Sequence, residues 1–158
     1  MSAAAPLLVS NSVARTEAIA AEFATSLLTG DVVALHGDMG AGKTQFVRGL
    51  VRGLGGDPRG VSSPTFVLLN VYDAPGPHAA APRLVVYHLD AYRVHGAEDF
   101  EGIGFTELLE QGGVVVVEWP SRVAELLPPR TIHVTLRVTG ARRREIAIGR
   151  AAADGGSA

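Results

Sequence analysis

The run Gly37-Asp38-Met39-Gly40-Ala41-Gly42-Lys43-Thr44 satisfies G-x-x-x-x-G-K-[ST] at every fixed position. It sits between a short apolar β-branched segment, Asp31 to His36, and a helical pattern from about Lys43 to Leu54 that stops at Gly55-Gly56. Strand, glycine loop and helix in that order make an anion site, because successive backbone N–H groups and the positive end of the helix converge on one point. Glycines at 37, 40 and 42 let the backbone approach phosphate oxygens, Lys43 supplies a compact cation for β/γ-phosphates, and Thr44 places a hydroxyl for Mg2+. Composition sharpens this reading. Lys43 is the single lysine beside thirteen arginines, so this position calls for an ammonium rather than a planar guanidinium.

The rest of the chain reads as one domain over residues 1–150 followed by a disordered tail, 151–158. A helix starts after the capping residues Asn11 and Ser12, carries Ile19, Phe23 and Leu27 on one side and ends before Gly30. Phe66 to Tyr72 and Arg83 to Asp90 read as an antiparallel strand pair joined by the Pro- and Gly-rich stretch Asp73 to Pro82. Ala97 to Gln111 holds one or two short helices broken by Gly102 and Gly104. Val114 to Glu118 reads as a strand buried on both faces, since it opens with four valines. A short helix, Ser121 to Leu127, stops at Pro128-Pro129. Alternation over Thr131 to Thr139 gives a further strand, and a last β segment lies around Arg144 to Ile148.

At 158 residues, with 47% apolar and 19% charged residues and a net charge of −2, the chain buries a real core and is not a basic polyanion-coating protein. Zero cysteines exclude a disulfide scaffold, a cysteine-based zinc cluster and a thiol nucleophile. No apolar run approaches ~18 residues, and the N-terminus lacks a basic, hydrophobic leader pattern, so a cytoplasmic protein with no membrane contact is expected.

Two acids close apolar strands, Asp90 after Leu84 to Leu89 and Glu118 after Val114 to Val117. Ligands of open α/β sheets bind outside the carboxyl ends of the strands, so both can face the phosphates; one would hold metal and the other would orient or deprotonate water. Thr65, in Ser63-Pro64-Thr65-Phe66, reads either as a γ-phosphate-sensing hydroxyl or as a turn residue. Trp119 reads either as core or as a stacking platform beside Glu118. His36 and His88 read as packed residues without an assigned role. Arg93 is a candidate for polyphosphate or partner contact, and Arg142-Arg143-Arg144 is a basic cluster that a solvated strand end explains equally.

Taken together, GDMGAGKT, SPTF, YHLDAYR and VEWP, in this order and spacing, resemble the bacterial TsaE family, the P-loop ATPases of tRNA threonylcarbamoyladenosine biosynthesis. The resemblance runs from about Thr16 to Arg144. It implies an α/β, three-layer P-loop NTPase-like fold with a mixed, mainly parallel sheet flanked by helices and an antiparallel pair. It implies slow Mg2+-dependent ATP hydrolysis and action on the TsaB–TsaD heterodimer, which transfers the threonylcarbamoyl group to adenosine 37 of tRNA; tRNA is met only through that complex. Residue by residue, it places the Asp38 to Thr44 loop on the nucleotide, Lys43 on phosphate, Thr44 and Glu118 on Mg2+, and Asp90 in metal or water organisation. Thr65 falls in a switch loop, Trp119 near nucleotide or partner, and Thr16 near the base. Met39, Gln45 and Ala91 stand where the family usually has Leu, Thr and Leu, and none of these changes removes a chemical group the mechanism needs.

Two other functions fit a P-loop in so short a chain. A small-molecule kinase needs an acceptor-binding insertion and usually an arginine-bearing lid, whereas Gly96 to Gln111 is acidic and has no arginine. A nucleotide-binding regulatory module remains, though not one with the guanine-reading N-K-x-D motif, because the only lysine already lies in the glycine loop.

Overall fold

The computed structural model describes residues 6–150; the expected tail, 151–158, lies outside the described residues. Seven strands form one sheet in the order β1-β7-β6-β2-β5-β4-β3. They are β1 (Leu7–Ser10), β2 (Val32–His36), β3 (Leu69–Ala74), β4 (Leu84–Asp90), β5 (Val114–Glu118), β6 (Ile132–Val138) and β7 (Arg144–Arg150). The central strands β6, β2, β5 and β4 are mutually parallel, while β7 opposes β6, β1 opposes β7 and β3 opposes β4. Five of the seven strands therefore point the same way, and β3–β4 is the antiparallel pair read from the sequence.

Helices cover both faces. α1 (Val13–Ala24) and α2 (Lys43–Gly53) lie on one. There Ile19, Ala20, Phe46, Val47 and Leu50 pack with the alternate strand residues Val33, Leu35, Val86, Val114, Val116 and Val134. The other face packs Val32, Leu89, Val115 and Val117 against Phe100 of α3 (Ala97–Gly102), Phe105 of α4 (Phe105–Glu110) and Val123 of a 3-10 segment, Pro120–Leu126. Every β5 residue is buried, as its valine run requires. Among the described residues, no helix is long and apolar enough to cross a membrane.

Four local readings change. Leu7–Ser10, not read as structure from the sequence, is a strand whose partner, β7, lies at the far end of the chain. α1 ends at Ala24 rather than continuing through Leu27: Thr25 and Ser26 turn their hydroxyls onto the Glu22 and Phe23 carbonyls at 2.7 and 2.8 Å, local bonds that compete with a further helical turn. Leu27 still reaches the core. β3 begins at Leu69, because Leu68 takes a positive φ of 70° and Phe66 and Val67 face solvent, 81% and 63% exposed. The segment after Glu118 is 3-10 in type, with Val123 outside helical geometry.

Candidate nucleotide site

The carboxyl ends of β2, β5 and β4 finish at one edge of the sheet with His36, Glu118 and Asp90, and register pairs Asp90 with Glu118 directly. Antiparallel β7 starts at that same edge with Arg144, opposite Ser10 and Val138, and both α1 and α2 begin there. A cleft of about 920 Å3 opens along this edge, lined by the glycine loop, Ser12 and Thr16 of the first helical turn region, Ser62, Ser63, Thr65, Asp90, Glu118, Trp119 and Arg142 and Arg144.

The glycine loop turns the chain from β2 into α2 through Gly40 at φ 81° and Gly42 at φ 104°, a left-handed geometry that side-chain-bearing residues adopt only at a cost. A Cβ at Gly40 would meet nothing within 4 Å, so the loop backbone there faces open space. Gly42 caps α2 without a side chain, and the first turn carries no acid, so its N–H groups and dipole are left for an external anion. This is the arrangement that a phosphate chain fits. Arg144 braces the loop from behind: its Nε and Nη2 donate to the Ala41 and Gly40 carbonyls, each at 3.2 Å.

Lys43 Nζ donates to the Gly37 carbonyl at 2.6 Å, lies 3.8 Å from the Trp119 ring centroid and stands 4.0 Å from Glu118 Oε1. Burial pushes its ammonium below the ordinary lysine value, and the charges of Glu118, Asp90 and Asp38 pull it part of the way back. Trp119 holds a left-handed backbone, φ 54° and ψ 49°, immediately after β5. That turn brings the indole back over Lys43, and Tyr92 packs beside it at 5.0 Å between ring centroids.

The two carboxylates are 1% and 3% exposed. Asp90 accepts from Thr65 Oγ1 at 2.9 Å and from the Tyr92 backbone N–H at 2.8 Å, while Glu118 Oε2 bonds His88 Nε2 at 2.6 Å. Among the described residues, no group of three or more His, Asp or Glu side chains is arranged to hold a metal. The oxygen donors that line the cleft, two carboxylates and the Thr44 hydroxyl, are a hard set that suits Mg2+, which keeps water ligands and shares itself with substrate phosphates.

The structure thus brings together Met39, Gly40, Ala41, Gly42, Lys43, Thr44, Thr65, Asp90, Glu118, Trp119 and Thr16 along one cleft, with Asp38 close enough to act on the Lys43 charge. Met39 stands at the lip, 66% exposed. Thr16 is buried, and its hydroxyl lies 2.7 Å from that of Ser10, whose own proton goes to the Ser12 carbonyl at 2.8 Å. Arg93 is not in the cleft lining; its guanidinium stacks on Phe66 at 4.4 Å. Sequence reasoning missed the brace by Arg144, whose contacts span more than a hundred residues. It also gave no part to Ser62, Tyr72 or His88, although His88 and Asp90, two apart on β4, were bound to share a sheet face.

A glycine loop between β2 and α2 with a buried lysine, on a mixed sheet with helices on both faces, defines an α/β protein of P-loop NTPase-like fold. A family model described as "Threonylcarbamoyl adenosine biosynthesis protein TsaE" matches residues 10–146. A Treponema pallidum protein named tRNA threonylcarbamoyladenosine biosynthesis protein TsaE is 45% identical over 119 residues, covering 75% of this chain and 82% of that one. The Bacillus subtilis protein of the same name is 37% identical over 131 residues, covering 83% and 77%. The crystal structure of Bacillus subtilis YdiB superposes with a TM-score of 0.72 at 30% identity, covering 94% of this chain and 88% of that one. The chain belongs to the TsaE family of threonylcarbamoyladenosine biosynthesis proteins.

Proposed function

We propose that this chain is a Mg2+-dependent ATPase that hydrolyses ATP slowly to ADP and phosphate in support of threonylcarbamoyladenosine formation at adenosine 37 of tRNA. It acts on the TsaB–TsaD transferase complex and meets tRNA through that complex. The observation that carries this reading is the meeting, in one cleft, of an uncapped helix N-terminus, a buried ammonium and two buried carboxylates. In it the α2 N–H groups and Lys43 take phosphate oxygens, and Thr44, Glu118 and Asp90 are the residues that would hold Mg2+. Bound there, the ion would supply charge neutralisation to the phosphates during hydrolysis. Asp90, already hydrogen-bonded to Thr65, orients the attacking water. Lys43, Asp90 and Glu118 are all buried at the floor of the cleft, which strengthens each of these interactions.

The kinase alternative lacks structural support. Ala97–Glu110 packs on the opposite face through Phe100 and Phe105, and none of it lines the cleft, so it does not form an acceptor lid over the phosphates. The test is ATP and GTP turnover with Mg2+, alone and with TsaB–TsaD plus tRNA, with Lys43→Ala as the blank. ATP-selective hydrolysis that rises with the partners supports the reading. Phosphate appearing on a small acceptor, with no partner effect, overturns it in favour of the kinase.

A further inference from the structure

His88 is fully buried, with 0% exposure, and the chemistry above gives it no part. Both ring nitrogens are nevertheless engaged: Nε2 with Glu118 Oε2 at 2.6 Å and Nδ1 with the Tyr72 hydroxyl at 3.1 Å. Tyr72 in turn lies 3.0 Å from the Ser62 carbonyl, which also accepts from Asn70 Nδ2 at 3.1 Å. Sheet alternation produces this chain of contacts. Asn70 and Tyr72 on β3 and His88 and Asp90 on β4 point to the same face as Glu118, with Asn70 opposite His88 and Asp90 opposite Glu118.

Ser62 to Thr65, which border the cleft, are thereby fastened at both ends. Thr65 reaches Asp90 directly at 2.9 Å, and Ser62 reaches Glu118 through Tyr72 and His88. The Tyr72 hydroxyl lies at nearly equal distance from the loop carbonyl, to which it donates, and from His88 Nδ1, so the seat of the loop and the setting of His88 meet on one oxygen. Holding Glu118 by Oε2 leaves Oε1 on the Lys43 side at 4.0 Å. The His88–Glu118 contact, at 2.6 Å, is shorter than the ~2.7–2.9 Å usual for an N–H donor on a carboxylate. A fully satisfied buried network of this kind specifies one arrangement where an apolar filler would allow several.

We propose that His88 and Tyr72 are positioning residues: they hold Glu118 with one oxygen to the cleft and couple that orientation to the seat of the Ser62–Thr65 loop. The effect on turnover rests on the ATPase reading, but the orientation itself does not. Tyr72→Phe cuts the loop from His88 while keeping ring volume. His88→Leu removes the hold on Glu118, and His88→Gln restores an N–H that can donate to it. Trp119, the only tryptophan, follows Glu118 in the chain and reports its setting by fluorescence in nucleotide-free protein.

In the full chain, Tyr72→Phe should lower kcat for ATP roughly 10-fold, and His88→Leu by roughly 10- to 100-fold, with KM nearly unchanged. His88→Gln should recover most of the turnover, and Trp119 emission should shift in His88→Leu but stay near wild type in His88→Gln. Wild-type kcat in Tyr72→Phe, equal losses in the Gln and Leu variants, or unaltered emission in His88→Leu would each overturn the proposal. If the wild-type chain itself fails to hydrolyse ATP, the ATPase reading falls, and the emission comparison alone decides the role of His88. Should His88→Leu fail to fold, Tyr72→Phe carries the test.

Discussion

Lys43 occupies a site that resists its charge: burial lowers its pKa, and three acids are needed to offset that. A phosphate chain would complete the compensation, which is the physical reason for an ammonium here. Lys43→Ala should therefore reduce ATP turnover by about 100-fold or more, measured as phosphate release. Glu118→Ala should lose Mg2+-dependent turnover by a similar factor of about 100 while retaining ATP binding within about tenfold, because the glycine loop and Lys43 remain. An ATP titration beside the rate measurement checks that split. Lys43, Thr44, Asp90 and Glu118 were legible in the sequence because each sits at a fixed offset from an apolar strand. Arg144 was not, since its contact with the Gly40 and Ala41 carbonyls depends on β7 running antiparallel beside β6.

α1 and α2 cross through glycine. A Cβ on Gly49 would run into the Glu17 backbone, and one on Gly53 would come within 2.5 Å of the Ala21 carbonyl oxygen. Gly49→Ala should thus lower stability by about 1–3 kcal/mol, against the ~1 kcal/mol that alanine adds as a better helix former; a denaturant midpoint reads the sign. Another contact between elements joins β2 to β6, where His36 Nε2 and His133 Nδ1 lie 2.9 Å apart. Burial lowers both pKa values below 6.5, with His133 and Lys43 adding to the effect on His36. As pH falls through 6.5 the unfolded chain takes up protons that the folded pair resists, so stability drops on the acid side and is restored above it. Between about pH 7.5 and 5.5 the melting temperature should fall, and His133→Gln should flatten that slope. Neither this pair nor the Gly49 crossing shows in local sequence. The short β1 was illegible for the same reason, and β3 was placed too early because apolar Phe66 and Val67 face solvent rather than core.

Across the whole molecule, the sheet sets one edge apart. Five strands pointing the same way bring their carboxyl ends to the border where α1 and α2 begin, and β7 adds Arg144 from the opposite direction. Strand–loop–helix order and strand-end acids made this edge legible from sequence. The ties from Ser62 to Thr65 onto both carboxylates were not, because they depend on register between β3, β4 and β5. The proposed function requires that Lys43 and the paired carboxylates form a Mg2+-dependent ATP-hydrolysing cleft. The deciding measurement is phosphate release from ATP across a Mg2+ titration, with wild-type protein and Lys43→Ala side by side. Release should saturate with Mg2+ in the wild type and be lost in the variant; equal release from both proteins, or release indifferent to Mg2+, would rule such a cleft out.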